Sequence, residues 1–139
     1  MSIEQVKSLV AKNREIIVQT LQDSGLEEGT TGACLYASII GCITLNRFTK
    51  AEVIIRGGDG DGDGGIKVDG ALHGHYWLEA DIDGNRYVID ITADQFGMPP
   101  VIIERVEVMQ QIYFPGDQVA VDEHVREMMD EIGGGGDGQ

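Results

Sequence analysis

Cysteine and positive charge are both scarce in this chain of 139 residues. It contains two cysteines, and its 10 lysines and arginines face 24 aspartates and glutamates, which gives a formal net charge of −14. Two cysteines are too few for a disulfide framework, so a reducing compartment is favoured. The shortage of basic residues argues against binding to nucleic-acid phosphates. We therefore expect no nucleic-acid partner.

Long apolar runs and common cofactor motifs are absent as well. No apolar run approaches the roughly 20 residues of a membrane span, and the first residues lack the basic region and apolar stretch of a secretory signal. The sequence contains no P-loop, dinucleotide fingerprint or CxxC pair. These absences predict a cytoplasmic protein without a cofactor or a membrane partner. Its acidic character favours basic partners and substrates.

The length and the apolar fraction of 42% suit one globular domain, which we place at residues 1–132. The glycine-rich residues 133–139 are expected to be a disordered tail. Apolar residues at helical spacing predict an amphipathic helix over about residues 3–21 and a short C-terminal helix that includes residues 121–132. Asp122 or a neighbouring residue is expected to cap the second of these helices.

Strand patterns occupy the middle of the chain and predict an α+β fold, with helices packed on an antiparallel sheet. The Asp83-Gly84 turn signal joins two apolar segments, which should therefore pair as a hairpin. One strand or two short ones are expected within residues 101–114. The other strand segments are residues 51–56, 75–80 and 86–91.

Cys34 follows a glycine-containing turn and opens the apolar run 35–45, which is typical of a buried helix. A thiol in the first turn of a helix lies near unpaired N–H groups and the positive end of the macrodipole, which favour the thiolate. Cys34 is therefore a candidate nucleophile. Cys42 lies in the middle of the same run, where core packing is expected. Two cysteines eight residues apart on one helix are too far apart to bond.

His75 and Asp90 lie near opposite ends of the predicted hairpin, close to cross-strand partners. Asp90 stands between two isoleucines, so a buried carboxylate there needs a partner. A carboxylate beside an imidazole fixes the histidine tautomer. Trp77 falls on the same strand face as His75, so its indole would cover one side of the imidazole ring. His73 is the competing histidine.

Two further features carry alternative interpretations. His124, on the C-terminal helix, is expected to face solvent. The run Asp59-Gly-Asp61-Gly-Asp63-Gly64 matches the first six positions of a calcium loop, but glycine occupies the twelfth position, where a bidentate glutamate is required. We expect a mobile acidic loop over residues 57–65, with a calcium site at Asp59, Asp61 and Asp63 as the alternative and no metal site elsewhere.

The segments Gly74-His75-Tyr76-Trp77-Leu78-Glu79 and Tyr87-Val88-Ile89-Asp90-Ile91-Thr92 resemble the histidine and aspartate strands of transglutaminase-like proteins in the papain-like clan. The order Cys34, His75, Asp90 is similar to that clan's catalytic triad, and its spacing also resembles arylamine N-acetyltransferases and deamidating toxin domains. The resemblance covers roughly residues 30–97 and implies a transglutaminase-like core. Comparison with the toxin group implies that Gln95 helps to hold the oxyanion.

The resemblance implies acyl transfer through a thioester on an amide of a protein or peptide substrate. Water as acceptor would make the protein a peptidase or a glutamine deamidase, whereas an amine acceptor would make it a transglutaminase or an acetyltransferase. The alternative is a catalytically silent transglutaminase-like fold that serves as an acidic protein-binding module. Sequence leaves the acceptor, the natural substrate and the oligomeric state open.

Overall fold

The computed structural model describes residues 3–24, 31–58 and 64–130. Its described part contains α-helices and antiparallel sheets, which confirms the predicted α+β class. The expected domain boundary at residue 132 and the tail beyond it lie outside the described residues. The helices are α1 (Ile3–Ser24), α2 (Thr31–Phe48), α3 (Val106–Met109) and α4 (Gln118–Met129).

Two antiparallel sheets lie in the described residues. The strands are β1 (Glu52–Gly58), β2 (Gly65–Val68), β3 (Ala71–His73), β4 (His75–Ile82), β5 (Asn85–Asp90), β6 (Ile102–Arg105) and β7 (Tyr113–Phe114). The larger sheet has the order β1-β4-β5-β6, and the smaller has the order β3-β2-β7. A 3-10 helix, Ala93–Phe96, follows β5.

The helix α2 packs against the larger sheet at very close range. A Cβ atom on Gly41 would lie 2.7 Å from Ile91 Cδ1 and 3.0 Å from Leu78 Cδ1. Glycine fits this approach directly, whereas a Cβ atom would require the Ile91 and Leu78 side-chain ends to shift. The apolar composition of α2 therefore reflects burial, and its first turn is held at one end of the sheet.

The hairpin of β4 and β5 is confirmed, and its register fixes the relation between the two strands. Asp83 and Gly84 have φ angles of 52° and 84°, and positive φ at both central residues defines the tight turn that matches strand twist. Leu78 stands opposite Ile89, and Ile82 stands opposite Asn85. The hairpin therefore begins with His75 and ends with Asp90.

Successive residues of β4 enter two different hydrophobic clusters. Tyr76 and Leu78 pack in the cluster that contains Cys34 and the apolar faces of α1 and α2. Trp77 packs with Tyr113 in the second cluster, on the side of the smaller sheet. This alternation follows from the period of two along a strand. His75, at the start of β4, lies where residues of both clusters meet.

The structure corrects several element boundaries. The smaller sheet was not expected, and the segment 101–114 contains the short helix α3 between two strands. The cap of α4 is Asp117 rather than Asp122, because the Asp117 carboxylate accepts the Val119 N–H at 3.1 Å. The strand β1 continues through Gly58, two residues beyond its expected end, and Gly65 opens β2. Both ends of the segment 57–65 are therefore paired strand residues rather than the expected loop. Among the helices of the described residues, none is long and apolar enough to cross a membrane.

Candidate functional site

His75 and Asp90 form a buried ion pair at the start of the central hairpin. His75 Nε2 lies 2.7 Å from Asp90 Oδ2, and both side chains are 0% exposed. The register places Leu78 opposite Ile89, so that position 77 faces position 90. His75 therefore reaches Asp90 along the diagonal of the ladder, on the same face of the sheet.

Two more donors hold the Asp90 carboxylate in place. The backbone N–H of Thr92 donates to Oδ1 at 3.0 Å, and the Tyr113 hydroxyl donates to Oδ2 at 2.7 Å. Oδ2 thus receives both the imidazole and the phenol. A buried charge is tolerated when it is paired and hydrogen-bonded, which explains an aspartate between two isoleucines.

Cys34 completes the cluster from the first turn of α2. Its side chain hydrogen-bonds with the His75 side chain. Because Nε2 of the ring is engaged by Asp90, Nδ1 is the nitrogen available to the thiol. The fold therefore joins a thiol, an imidazole and a carboxylate in series, in the arrangement that a nucleophile, its base and an orienting group require.

The charges around His75 favour the imidazolium. Burial by itself lowers the pKa of His75, but the Asp90 carboxylate and the Cys34 side chain act in the opposite direction and raise it to about 9. A ring that holds its proton near neutral pH can stabilise a neighbouring thiolate. The His75 ring is thus charged at neutral pH beside the Cys34 side chain.

Aromatic rings enclose the imidazole on two sides. The Trp77 ring stacks at 6.2 Å between centroids with an interplanar angle of 26°, and the Phe96 ring meets it edge-on at 5.0 Å. The structure thus places Trp77 where the sequence pattern put it. His73 lies in β3, is exposed, and contacts Phe96 instead of Asp90. Of the two neighbouring histidines, only His75 has the geometry of a base.

The 3-10 helix that carries Gln95 is tied to α1. The Arg14 guanidinium donates to both carboxylate oxygens of Asp94, at 2.9 and 2.6 Å, and to the carbonyl oxygen of Ile91 at 2.7 Å. This fork fixes the segment that directly follows the Asp90 strand. The side chain of Gln95 lies outside the described part, so its oxyanion assignment stays a prediction.

The cluster has no contact with solvent in this structure. Cys34, like His75 and Asp90, is 0% exposed. Attack on a substrate carbonyl therefore requires a movement that uncovers the sulfur.

The remaining sequence candidates lie away from the cluster. Cys42 is half-buried against the core, accepts a hydrogen bond from Asn46 Nδ2 at 3.3 Å, and has a pKa that burial raises. His124 does not face solvent as expected: its Nδ1 is 2.5 Å from the Tyr76 hydroxyl, in a half-buried contact. That prediction was wrong because α4 docks on the larger sheet through this side of the helix.

The calcium alternative falls on residues 59–63, which lie outside the described residues. Within the described ranges, no group of three or more histidine, cysteine or acidic side chains is placed to hold a metal ion.

Sequence reasoning missed three residues that support the site: Tyr113, Phe96 and Arg14. Tyr113 is 23 positions from Asp90 in the chain, and Arg14 is 80 positions from Asp94. Local patterns carry no signal for such pairs, because only the packing of distant elements brings them together. A signal existed only for Phe96, because it lies one residue after Gln95 and close to the aspartate strand.

Comparisons with known proteins identify no relative of this chain: no family model, curated protein or solved structure matches it.

Proposed function

We propose that the protein is a cysteine-dependent acyl-transfer enzyme that acts on an amide substrate through a thioester. The observation that carries this proposal is the buried series Cys34, His75, Asp90, in which the pKa of the imidazole is raised to about 9. Perturbed groups of this kind concentrate at functional sites.

Each residue has a defined part in the proposed reaction. His75 takes the Cys34 proton, and the thiolate forms a C–S bond with the amide carbonyl carbon. The tetrahedral intermediate collapses, the C–N bond breaks, and the leaving amine or ammonia departs with the proton from His75. Water or an amine, deprotonated by His75, then attacks the thioester, and Cys34 leaves as the thiolate. Asp90 keeps the imidazole oriented throughout.

The oxyanion would be held at the start of α2. The Cys34 backbone N–H is the first donor, in a helix turn whose dipole favours negative charge. Gln95 is the proposed second donor, from the segment that Arg14 fixes. Loss of one such donor costs about 10²- to 10³-fold in rate. We expect Gln95→Ala to slow thioester formation by this factor without changing the ionisation of Cys34.

The order of the elements supports a transglutaminase-like core as part of the same proposal. A cysteine in the first turn of a helix packed on an antiparallel sheet, followed by a histidine strand and an aspartate strand, is what the resemblance implies. Protein or peptide amides are the proposed substrates, and the net charge of −14 favours basic ones. Both hydrolysis and transfer to an amine are compatible with this site.

One observation favours a second candidate function, a silent fold that binds other proteins. Cys34 is fully buried, and a thiol that never reaches solvent cannot attack a substrate. In that case the ion pair would serve only to hold α2 against the hairpin. The two candidates differ in whether the sulfur becomes accessible in solution.

Two measurements separate these functions. Ultraviolet absorbance of the thiolate, titrated against pH, reports the ionisation of Cys34 even when the sulfur is buried. p-Nitrophenyl acetate, a small activated ester, reports access: an enzyme gives a burst of nitrophenolate equal to the protein concentration and an acetyl group on Cys34 by mass spectrometry. Cys34→Ala should abolish both signals, and Cys42→Ala should retain them.

A thiolate near neutral pH with no acylation of Cys34 would favour the silent binding module. If Cys34 ionises only at the alkaline pH of an ordinary thiol, the acyl-transfer proposal is wrong.

A further inference from the structure

Tyr113 belongs to neither the hairpin nor α2, yet its hydroxyl reaches the centre of the cluster. It donates to Asp90 Oδ2 at 2.7 Å, the same oxygen that lies 2.7 Å from His75 Nε2. The Tyr113 side chain is buried and comes from β7, a strand of the smaller sheet. Two donors from different sheets therefore compete for one carboxylate oxygen.

The phenol can act only as a donor under ordinary conditions. Burial, together with the neighbouring Asp90 charge and the hydrogen bond to it, raises the pKa of Tyr113 well above its ordinary value. The hydroxyl therefore keeps its proton and withdraws part of the negative charge from Oδ2. A hydrogen bond to an ionised acceptor is about twice as strong as a neutral one, so this withdrawal affects the acceptor's other partner.

We propose that Tyr113 is a positioning residue that fixes the Asp90 carboxylate and sets how strongly His75 holds its proton against Cys34. This inference rests on the proposed function for its meaning in catalysis, but its physical content concerns the ion pair alone. Tyr113 weakens the pull of Asp90 on the imidazolium, so that the ring can release its proton to a leaving amine. Without the hydroxyl, the His75 ring would hold its proton more strongly and release it less readily.

Among the described residues, Glu79 is a further charged group near Tyr113 and the triad. Cys34 faces His75 from α2. On the side of the smaller sheet, Tyr113 shares a pocket of about 150 Å³ with Glu79. Glu79 is neutralised by Arg86, at 3.0 Å, and Arg56, at 3.5 Å. The change that follows removal of the Tyr113 hydroxyl should therefore act through Asp90.

The test is the protonation midpoint of His75, followed by the NMR signal of its carbon-bound ring proton during a pH titration. Tyr113→Phe should shift this midpoint upward, on the order of one pH unit, because a charge-assisted hydrogen bond to Asp90 is lost. Tyr76→Phe is the matched control. It deletes a hydroxyl that is equally buried, at 3% exposure, but bonded to His124. We expect no change of the His75 midpoint in the control.

An unchanged or lowered midpoint in Tyr113→Phe, or an equal rise in both variants, would overturn the inference. If Tyr113→Phe does not fold, fluorotyrosine in place of all four tyrosines supplies a test of opposite sign. A fluorinated phenol is a stronger donor, so the His75 midpoint should fall, and a midpoint that stays in place would count against Tyr113.

These readouts are independent of turnover. A protein that never acylates Cys34 but shows both midpoint shifts would contradict the proposed enzyme and leave the Tyr113 inference standing. An active enzyme in which Tyr113→Phe leaves the His75 midpoint unchanged would support the proposed function and contradict the Tyr113 inference.

Discussion

The first turn of α2 and its middle each carry a cysteine, and the two surroundings differ completely. Cys34 contacts the His75 ring and is fully buried. Cys42, two turns later, is half-buried beside Asn46 and the carbonyl of Val53, and burial raises its pKa. The same residue type on one helix therefore has a cationic partner at one end and only neutral partners further along.

The two surroundings differ because the sheet presents different groups to each turn of the helix. The hairpin begins with His75 at the level of Cys34, whereas the Cys42 thiol donates to the backbone carbonyl of Val53 in β1 at 3.6 Å. A carbonyl accepts a thiol proton but does not stabilise the thiolate. We therefore expect four substitutions to change this contrast to different degrees.

The largest effect should come from His75→Ala, which removes the feature that distinguishes the two cysteines. The rate of Cys34 acylation should fall about 10²- to 10⁴-fold, since a positioned base contributes that much. The pH profile of Cys34 alkylation should become flat up to the range of an ordinary thiol. His73→Ala is the control, because His73 is exposed and lies in another strand. A flat profile in the control would move the assignment to His73.

Asp90→Asn should change the pH dependence of stability. The pKa of His75 is raised from 6.5 to about 9, so the folded state binds this proton more tightly than the unfolded state. The resulting stability is fully present below about pH 6.5 and is lost as pH rises through about 9, a decline on the order of 3 kcal/mol. The asparagine variant should lose this decline. Urea unfolding measured from about pH 6 to about pH 10 checks this, because the range brackets the unfolded and folded pKa values of His75. If the free energy of unfolding changed with pH in the same way in both proteins, this prediction would be contradicted.

Arg14→Met should affect the acylation of Cys34 and leave the surroundings of Cys42 unchanged. The Arg14 fork holds the segment after Asp90, and its loss should cost about 1 kcal/mol, reduced by its partial exposure. Thiolate formation should stay unchanged, while acylation slows because Gln95 is less well placed. Arg105→Met removes an exposed pair with Glu107 and should alter neither quantity. Equal slowing in both variants would argue against the anchoring of this segment.

Cys42→Ala should have the smallest effect. It removes a half-buried sulfur with weak contacts, so the free energy of unfolding should fall by about 1 kcal/mol or less. The thiolate absorbance near neutral pH should be the same as in the unsubstituted protein. Loss of that signal would mean that Cys42 is the ionised cysteine, and the comparison between the two would be reversed.

Local sequence determined the framework of the site. The Asp83-Gly84 turn and its alternating flanks predicted the pairing of β4 with β5, because turn type and the period of two fix a register. That register alone placed His75, Trp77 and Asp90 on one face. The apolar run after Cys34 likewise predicted a buried helix with the thiol in its first turn. A second Asp-Gly turn, at Asp69-Gly70, was missed because its strands are too short to show a pattern.

Tertiary structure alone decided which groups meet Asp90 and Cys34. Tyr113 reaches Asp90 from the second sheet, and Arg14 reaches Asp94 across 80 positions. Cys34 meets His75 because α2 packs against the larger sheet. The fully buried state of the thiol is likewise a result of packing. Propensity and periodicity act within a few residues, whereas these contacts depend on how separate elements are oriented when their apolar faces are buried together.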